Sequence, residues 1–182
     1  MIQDPDTIQI REAVKGDAEK IAEIERMSWL ETYPNKDYGI EEEDIKQKFD
    51  TALDRIETIQ EIIGYQDHKY FVAGAGDKIA GYFHGLKGLN ENQVVEAYVL
   101  PEYQRQNIGR KGIEALLSWF GSERSVFVEI ASYNLKSINF FKSLGFAEAE
   151  GARRKETWNI LPSGNIIPLT FMRKTFRVPQ DE

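Results

Sequence analysis

The chain has 182 residues, of which 41% are hydrophobic and 12% are aromatic. This length suits one ordinary domain with its own hydrophobic core. A formal net charge of -7 argues against a nucleic-acid partner, because such a surface needs a clustered basic face. With no cysteine in the sequence, disulfides, thiolate zinc sites and a cysteine nucleophile are all excluded.

Targeting and membrane segments are not visible in the sequence. The first six residues carry neither a basic region nor an apolar run, so no secretory signal is predicted. No stretch of about 18 consecutive apolar residues occurs, so no membrane-spanning helix is predicted. We therefore expect a cytoplasmic protein with no membrane partner.

The first half of the chain reads as one short strand followed by two helices. A strand is predicted over 8–10, and Gly16-Asp17 begins a helix with Ile21, Ile24 and Met27 on one face. That helix must stop at Pro34. A second helical stretch is predicted from Ile45 to Ile63, with Gly64 as its C-terminal cap.

The second half alternates strands and helices. Strands are predicted over 70–73 and 79–86, joined by a glycine-containing hairpin over 74–78, and a third strand runs over 93–99. A helix over 108–120, a strand over 125–130 and a helix over 135–144 follow. Two strands are predicted around a turn at 161–165, with Pro168 at an edge or a bulge. The pattern predicts a single domain over 1–182 of mixed α/β (α+β) class, with an antiparallel meander over 70–99.

Several catalytic signatures are absent. Ile79 stands where a dinucleotide-binding G-x-G-x-x-G motif would need glycine, and the chain contains no Gly-Lys pair for a phosphate-binding P-loop. No G-x-S-x-G nucleophile motif occurs. The two histidines, His68 and His84, are interpreted as structural, and no metal site is predicted.

One segment is suited to holding a phosphate. Residues 94–110 read as a strand, a turn rich in hydrogen-bond donors and the start of a helix. First-turn N–H groups lack partners inside a helix and carry partial positive charge, so they bind anions. Arg105 and Arg110 add formal charge beside that turn. An ordinary strand-to-helix turn with solvated arginines explains the segment about equally well.

A second segment, residues 134–146, is a well-bounded amphipathic helix. Asn134 is a suitable cap at its start, and Gly145 ends it so that Phe146 can enter the next strand.

Together the two segments resemble the GNAT superfamily of N-acetyltransferases. Residues 104–109 read Q-R-Q-N-I-G, close to the family's phosphate loop Gln/Arg-x-x-Gly-x-Gly/Ala. A second family signature, N-x-x-A/S-I-x-F/L-Y-x-x-x-G-F, is matched by Asn134, Ser137, Ile138, Phe140 and the pair 145–146. The order of elements also fits, so the resemblance covers nearly the whole chain.

The resemblance implies a fold and a cofactor. The fold would be a mostly antiparallel central sheet with two splayed parallel strands, here 93–99 and 125–130, and helices on both faces. Acetyl-coenzyme A would lie between the splayed strands, and no metal would take part. The residues implied to hold it are Tyr98, Val99, Leu100, Gln104, Arg105, Gln106, Asn107, Ile108, Gly109, Arg110, Asn134, Ser137 and Phe141.

The sequence departs from the family pattern at two positions. Asn107 replaces the first loop glycine, and asparagine tolerates a positive φ better than other non-glycine residues. Phe141 replaces the tyrosine that is often proposed as the general acid, and phenylalanine cannot donate a proton. Tyr98 and Tyr133 are the remaining candidates for that acid.

A protonated amine cannot attack a thioester, so a base must first take its proton. Glu129 lies five residues before Asn134, where ribosomal-protein N-terminal acetyltransferases of the family carry a glutamate assigned as base. Glu96 lies on the other splayed strand, on the same face as Tyr98. Each could equally be a strand carboxylate that faces solvent or pairs with a neighbour.

The acceptor pocket of the family is shaped by two connections, here 29–40 and 161–165. Trp29 and Tyr33 are the candidate substrate-binding residues, either packing on an alkyl amine or only fixing the first helix to the sheet. We expect the acceptor to be a primary amine of a small cationic molecule or of a protein N-terminus. A homodimer is left open.

Two other classes of protein compete with this prediction. A non-catalytic coenzyme-A-binding module of the same fold would explain Phe141 and Asn107. A flavodoxin-like nucleotide binder would share alternating elements, but its sheet would be parallel throughout.

Overall fold

A computed structural model describes residues 8–51, 54–75, 78–150 and 158–176. Within these ranges the strands are β1 (Gln9–Glu12), β2 (His68–Ala75), β3 (Lys78–Leu86), β4 (Asn92–Val99), β5 (Val126–Ala131), β6 (Ala147–Glu148) and β7 (Leu169–Lys174). The helices are α1 (Ala18–Thr32), α2 (Glu42–Asp50), α3 (Arg55–Ile62), α4 (Ile108–Phe120) and α5 (Leu135–Ser143).

The strands form one sheet in the order β1-β2-β3-β4-β5-β7-β6. Neighbouring strands are antiparallel except β4 and β5, which are parallel. Helices α1 and α3 pack on one face through Ile21, Ile24 and Ile59, and α4 and α5 pack on the other through Ile113, Leu116 and Ile138. The predicted fold class, a mostly antiparallel sheet with one parallel pair and helices on both faces, is confirmed.

The parallel pair separates part of the way along its length. β4 and β5 are in register only from Asn92–Val126 to Val94–Val128. The next residue of β4, Val95, is skipped in the pairing with β3, where His84 faces Glu96 and Gly85 faces Val94. Such a bulge bends its strand and shifts the alternation of side chains. Beyond it β4 pairs with β3 and β5 pairs with β7, so a wedge opens between the two strands.

Four details of the sequence-based assignment change. Met27 is 47% exposed and does not share the buried face of α1, where Glu25 and Ser28 lie instead. The stretch over 45–63 is two helices, α2 and α3, and α3 ends before Gly64 because Ile63 is its C-cap. Pro168 precedes β7, and its carbonyl accepts the amide of Ser132.

The fourth change concerns the strand predicted before the 161–165 turn. Among the described residues this region contains the two residues of β6 and an isolated bridge between Ile160 and Ile166, and the rest of the prediction, over 151–157, lies outside the described residues. In the hairpin between β2 and β3, Gly76 and Asp77 lie outside the described residues. None of the helices in the described ranges has the length and apolar character needed to cross a bilayer.

Candidate active site

A cavity of about 940 Å³ extends from the wedge between β4 and β5 toward α1, α2 and α3. Its walls combine the end of α1, the second half of β4, the end of β5 and the start of α5. Eleven of the residues predicted from sequence line it: Trp29, Tyr33, Glu96, Tyr98, Val99, Gln104, Glu129, Tyr133, Asn134, Ser137 and Phe141. The tertiary structure therefore brings both predicted carboxylates and part of the predicted cofactor set to one cavity.

The predicted phosphate loop leads from β4 into α4, and of its residues 104–109 only Gln104 lines the cavity. Arg105 has φ of 62° and Asn107 has φ of 63°, so two residues of this turn are left-handed. Asn107 thus adopts the positive φ that asparagine tolerates, whereas a positive φ at Arg105 was not anticipated. Alternation of handedness turns successive N–H groups into one concavity, which binds anions. Asn107 is the N-cap of α4 and its side chain makes no capping hydrogen bond, so the first-turn N–H groups are left to another acceptor.

Gln104 connects three elements at the mouth of the wedge. Its Nε2 donates to the carbonyl of Val99 at 2.9 Å, and its Oε1 accepts from Nζ of Lys136 on α5. The backbone N–H of Leu100 faces the other way, donating to the carbonyl of Ala80 on β3. The side chain of Gln104 therefore occupies the Val99 carbonyl at the open edge of β4.

The start of α5 forms the opposite wall. Oδ1 of Asn134 accepts from the amide of Ser137 at 3.1 Å, so the predicted cap is confirmed. Arg110 reaches across from α4 and donates to Oγ of Ser143 at 3.2 Å. Phe141 is buried against Phe140 and Phe146 and lines the cavity without a polar side-chain atom.

Aromatic rings enclose the other end of the cavity. The ring of Trp29 lies 4.4 Å from that of Tyr33 and 5.8 Å from that of Trp158, centroid to centroid. Nζ of Lys48 lies 5.2 Å from the Trp29 ring and donates to the Trp158 carbonyl. The Nε1 atom of Trp29 is buried and has no hydrogen-bond partner within the described part of the chain.

The two connections predicted to shape the acceptor pocket contact one another. Nδ2 of Asn165 donates to the carbonyl of Gly39 at 2.7 Å, and Asp44 accepts from both the amide and the hydroxyl of Ser163. The hydroxyl of Tyr133 donates to the carbonyl of Tyr33 at 2.7 Å. The bonds of Asn165 and Asp44 join the 33–44 segment to the 158–167 segment, and apolar residues of both segments pack with Trp29 and Tyr33.

Glu129 lies on β5 with one carboxylate oxygen already engaged. Nε1 of Trp158 donates to its Oε2 at 2.6 Å. The carboxylate lies on the same face of the sheet as the aromatic end of the cavity, because its strand neighbour Ala131 packs there.

Glu96 is held by a basic residue on each side. Nη2 of Arg55 donates to its Oε1 at 3.0 Å, and Nδ1 of His84 lies 3.4 Å from its Oε2, an ion-pair distance rather than a hydrogen bond. His84 is in turn bonded to His68 through a 2.8 Å contact between Nε2 and Nδ1. Burial raises the pKa of Glu96, but His84 and the Arg55 charge outweigh it, so the pKa lies well below its usual range.

Glu25 of α1 is a third carboxylate in the cavity. It is 6% exposed, and Nε of Arg55 donates to its Oε2 at 2.7 Å. Burial, followed by the negative charge of Glu96, raises the pKa of Glu25 to about 8. One guanidinium thus bridges two buried carboxyl groups whose proton affinities are driven apart.

Two tyrosines complete the wall between the carboxylates and the rings. The hydroxyls of Tyr33 and Tyr98 lie 3.0 Å apart. Burial, followed by the neighbouring Tyr33, raises the pKa of Tyr98 well above its ordinary value. Tyr133 is less enclosed, and burial followed by the nearby Tyr38 raises its pKa to about 12.

Sequence reasoning missed five residues of this site: Glu25, Lys48, Arg55, His84 and Trp158. One signal was available, since Glu25 lies four residues after Ile21 and therefore on the same helix face. A carboxylate on an apolar stripe is unusual unless it is paired. The partner of Glu25, Arg55, comes from a different helix, and no spacing in the sequence connects the two. Among the described residues, no group of three or more acidic or histidine side chains is placed to hold a metal ion.

Comparison with known proteins agrees with this geometry. Residues 18–146 match the acetyltransferase (GNAT) family. A curated relative, an N-alpha-acetyltransferase of Sulfurisphaera tokodaii, is 29% identical over 153 residues, covering 80% of this chain and 83% of its own.

Solved structures share the fold at low identity. A PaiA N-acetyltransferase from Thermoplasma acidophilum in complex with coenzyme A superposes with a TM-score of 0.70 at 20% identity, covering 93% of this chain and 99% of its own. The ribosomal-protein-S18-alanine N-acetyltransferase of Escherichia coli gives a TM-score of 0.62 at 18% identity, covering 96% and 99%. The family match spans more than half of the chain and includes both the loop before α4 and helix α5. The chain belongs to the acetyltransferase (GNAT) family and is an acyltransferase.

Proposed function

We propose that the protein transfers the acetyl group of acetyl-coenzyme A to a primary amine of a small cationic molecule or of a protein N-terminus. The observation that carries the proposal is the wedge between β4 and β5, which joins a left-handed donor turn at one end to a carboxylate-lined cavity at the other. An anionic pyrophosphate suits the first feature and a basic amine suits the second.

The residues of the wedge fit coenzyme A. The concave turn of Arg105 and Asn107 and the start of α4 would hold the pyrophosphate through backbone N–H groups, with Gln104 and Arg110 beside it. The open edge of β4 over 95–99 would pair with the pantetheine arm, while Asn134, Ser137 and Phe141 form the facing wall. The bound cofactor supplies a thioester, whose carbonyl carbon is the electrophile for the amine.

The acceptor amine would enter at the aromatic end. Trp29, Tyr33 and Trp158 offer faces for an alkyl chain or a cation, and the carboxylates Glu96 and Glu129, predicted as bases, lie on the adjoining strands. Phe141 cannot donate a proton to the departing thiolate. Tyr98, which lines the same cavity and has a hydroxyl, would be the general acid instead.

Two observations favour different acceptors. The hydrogen bonds between the 33–44 and 158–167 segments fix both connections beside the aromatic rings of the cavity and favour a small amine. The curated relative named as an N-alpha-acetyltransferase favours a protein N-terminus. Membership of an acetyltransferase family favours an enzyme over a non-catalytic coenzyme-A-binding module.

The test is a panel of acceptors assayed with acetyl-coenzyme A by release of free thiol. The panel contains short alkyl amines and diamines, and peptides that differ in their first residue. We expect acetylation of one class and a rise in melting temperature on adding acetyl-coenzyme A, because a ligand that binds the native state stabilises it. An equal rise in melting temperature with NAD, or no rise at millimolar acetyl-coenzyme A, would contradict the assignment of acetyl-coenzyme A as the cofactor. Binding with no thiol release for any amine would support the non-catalytic module.

A further inference from the structure

The cavity contains one carboxylate more than the two that the sequence analysis considered as bases. Glu25, Glu96 and Glu129 all line it, but their surroundings differ. Glu129 accepts the Trp158 N–H, and Glu96 lies between Arg55 and His84. Glu25 has one basic partner, Arg55, which it shares with Glu96.

Glu96 is fixed in its charged form by these contacts. His84 cannot move away from it freely, because the His84 ring stacks on Tyr70 at 3.9 Å with an 11° angle between planes and is bonded to His68. The side chain of His84 is 4% exposed, so the arrangement is enclosed. A carboxylate held in this way is a poor acceptor for the proton of an alkyl ammonium group.

Glu25 has the opposite character. It is enclosed on the buried face of α1, and the fixed charge of Glu96 beside it opposes its ionisation. Pairs of titratable groups driven apart in this way commonly divide proton transfer and charge stabilisation between them. A base works best when its pKa lies near the working pH, and the raised pKa of Glu25 brings it there.

We propose that Glu25 takes the proton of the acceptor amine, and that Glu96, held by Arg55 and His84, is the fixed anion that attracts the ammonium group. The inference rests on the proposed function. Ionised Glu25 accepts one proton from the ammonium group, directly or through one water. As the neutral amine forms the N–C bond, the C–S bond breaks. The second amine proton leaves with the sulfur as free thiol, and Glu25 returns its proton to solvent.

Other titratable groups interact electrostatically with Glu25. They are Tyr33, Lys48, Arg55, Tyr70, Tyr82, Glu96 and Tyr98, and His84 acts on Glu25 through Glu96.

The experiment compares three variants of the full chain: Glu25→Gln, Glu25→Asp and Glu19→Gln. Glutamine keeps an oxygen for Arg55 and removes only the titration, whereas aspartate keeps the titration at a shorter reach. Glu19 is an exposed acid of the same helix and is the matched control. Each variant is first checked for an unchanged thermal shift with acetyl-coenzyme A.

Two measurements follow. Infrared titration should find a protonated carboxyl band that disappears near pH 8 in wild type and in Glu19→Gln but is missing from Glu25→Gln. Thiol release with the best amine of the panel should fall about 10²-fold in Glu25→Gln, within the range of general-base effects, and recover in part in Glu25→Asp. The Glu25→Gln defect should shrink at high pH, where the amine arrives deprotonated.

The outcomes separate the two proposals. If Glu25→Gln releases thiol at the wild-type rate across the pH range, the role of Glu25 is overturned and the proposed function stands. An infrared band that survives Glu25→Gln also overturns it. Absence of thiol release from the wild type contradicts the proposed function and this inference together.

Discussion

The indole N–H of Trp158 donates a 2.6 Å hydrogen bond to Oε2 of Glu129, joining the segment before β7 to the centre of β5. The Trp158 ring also lies against Trp29 and Tyr33 at 5.8 Å and 6.1 Å. Glu129 thereby orients one wall of the aromatic end of the cavity. This contact gives Glu129 a structural task that is separate from proton transfer.

A first prediction concerns that task. Glu129→Gln keeps an oxygen for the Trp158 N–H and removes only the charge, so we expect turnover within about threefold of wild type when Glu25 is the base. Trp158→Phe keeps the ring but not the donor, and should raise KM for the amine without changing cofactor affinity. Steady-state kinetics on both variants provide the check. A loss of about 10²-fold in Glu129→Gln would restore Glu129 as the base.

The second prediction concerns the left-handed turn. Asn107 has φ of 63°, a conformation that glycine adopts freely and that β-branched residues resist. Asn107→Gly should preserve or tighten acetyl-coenzyme A binding, and Asn107→Val should weaken it about tenfold or more. Isothermal titration measures both affinities. Equal affinity of all three forms would show that the cofactor does not use this turn.

The third prediction is a pH dependence of stability. A carboxyl group whose pKa is raised on folding binds its proton more tightly in the native state, so stability falls as pH rises between the ordinary pKa and the raised one. For Glu25 that window runs from the ordinary value of 4.5 to about 8. The slope in the window is at most about 1.4 kcal/mol per pH unit for one group.

Glu25→Gln removes this dependence, so its stability relative to wild type should increase from about pH 5 to about pH 8 and then level off. Urea denaturation at several pH values measures the free energy of unfolding of each form. Glu19→Gln should follow wild type at every pH. Parallel wild-type and Glu25→Gln curves across the window would show that the pKa of Glu25 is not raised.

A fourth prediction concerns the bonds that fix the 158–167 segment beside the aromatic end. Asp44 is buried and accepts two hydrogen bonds from Ser163. Asp44→Ala leaves the Ser163 amide unpaired and should lower the free energy of unfolding by about 1–3 kcal/mol. It should also widen the range of amines accepted while leaving cofactor affinity unchanged. Denaturation and the amine panel test these effects, with Asp37→Ala on the exposed part of the same connection as control.

Local sequence determined the elements around the predicted phosphate loop. Helix α4 begins at Ile108 and ends at Phe120 as predicted, because its apolar spacing and the flanking Asn107 and Gly121 are all local signals. The same holds for the Asn134 cap and the positive φ of Gly145, which end α5 on either side. Helix caps and apolar spacing can be recognised in a sequence because each depends on residues that are only a few positions apart.

Tertiary structure decided the chemistry of the carboxylates. Arg55 lies 30 positions after Glu25 and 41 positions before Glu96 along the chain. Only the packing of α1 and α3 on the sheet places its guanidinium between the two acids. Proton affinity depends on burial and on nearby charges, neither of which a strand or helix pattern reports. The sequence by itself therefore determined the fold family and the turn before α4, whereas three-dimensional packing decided the surroundings that lower the pKa of Glu96 and raise that of Glu25.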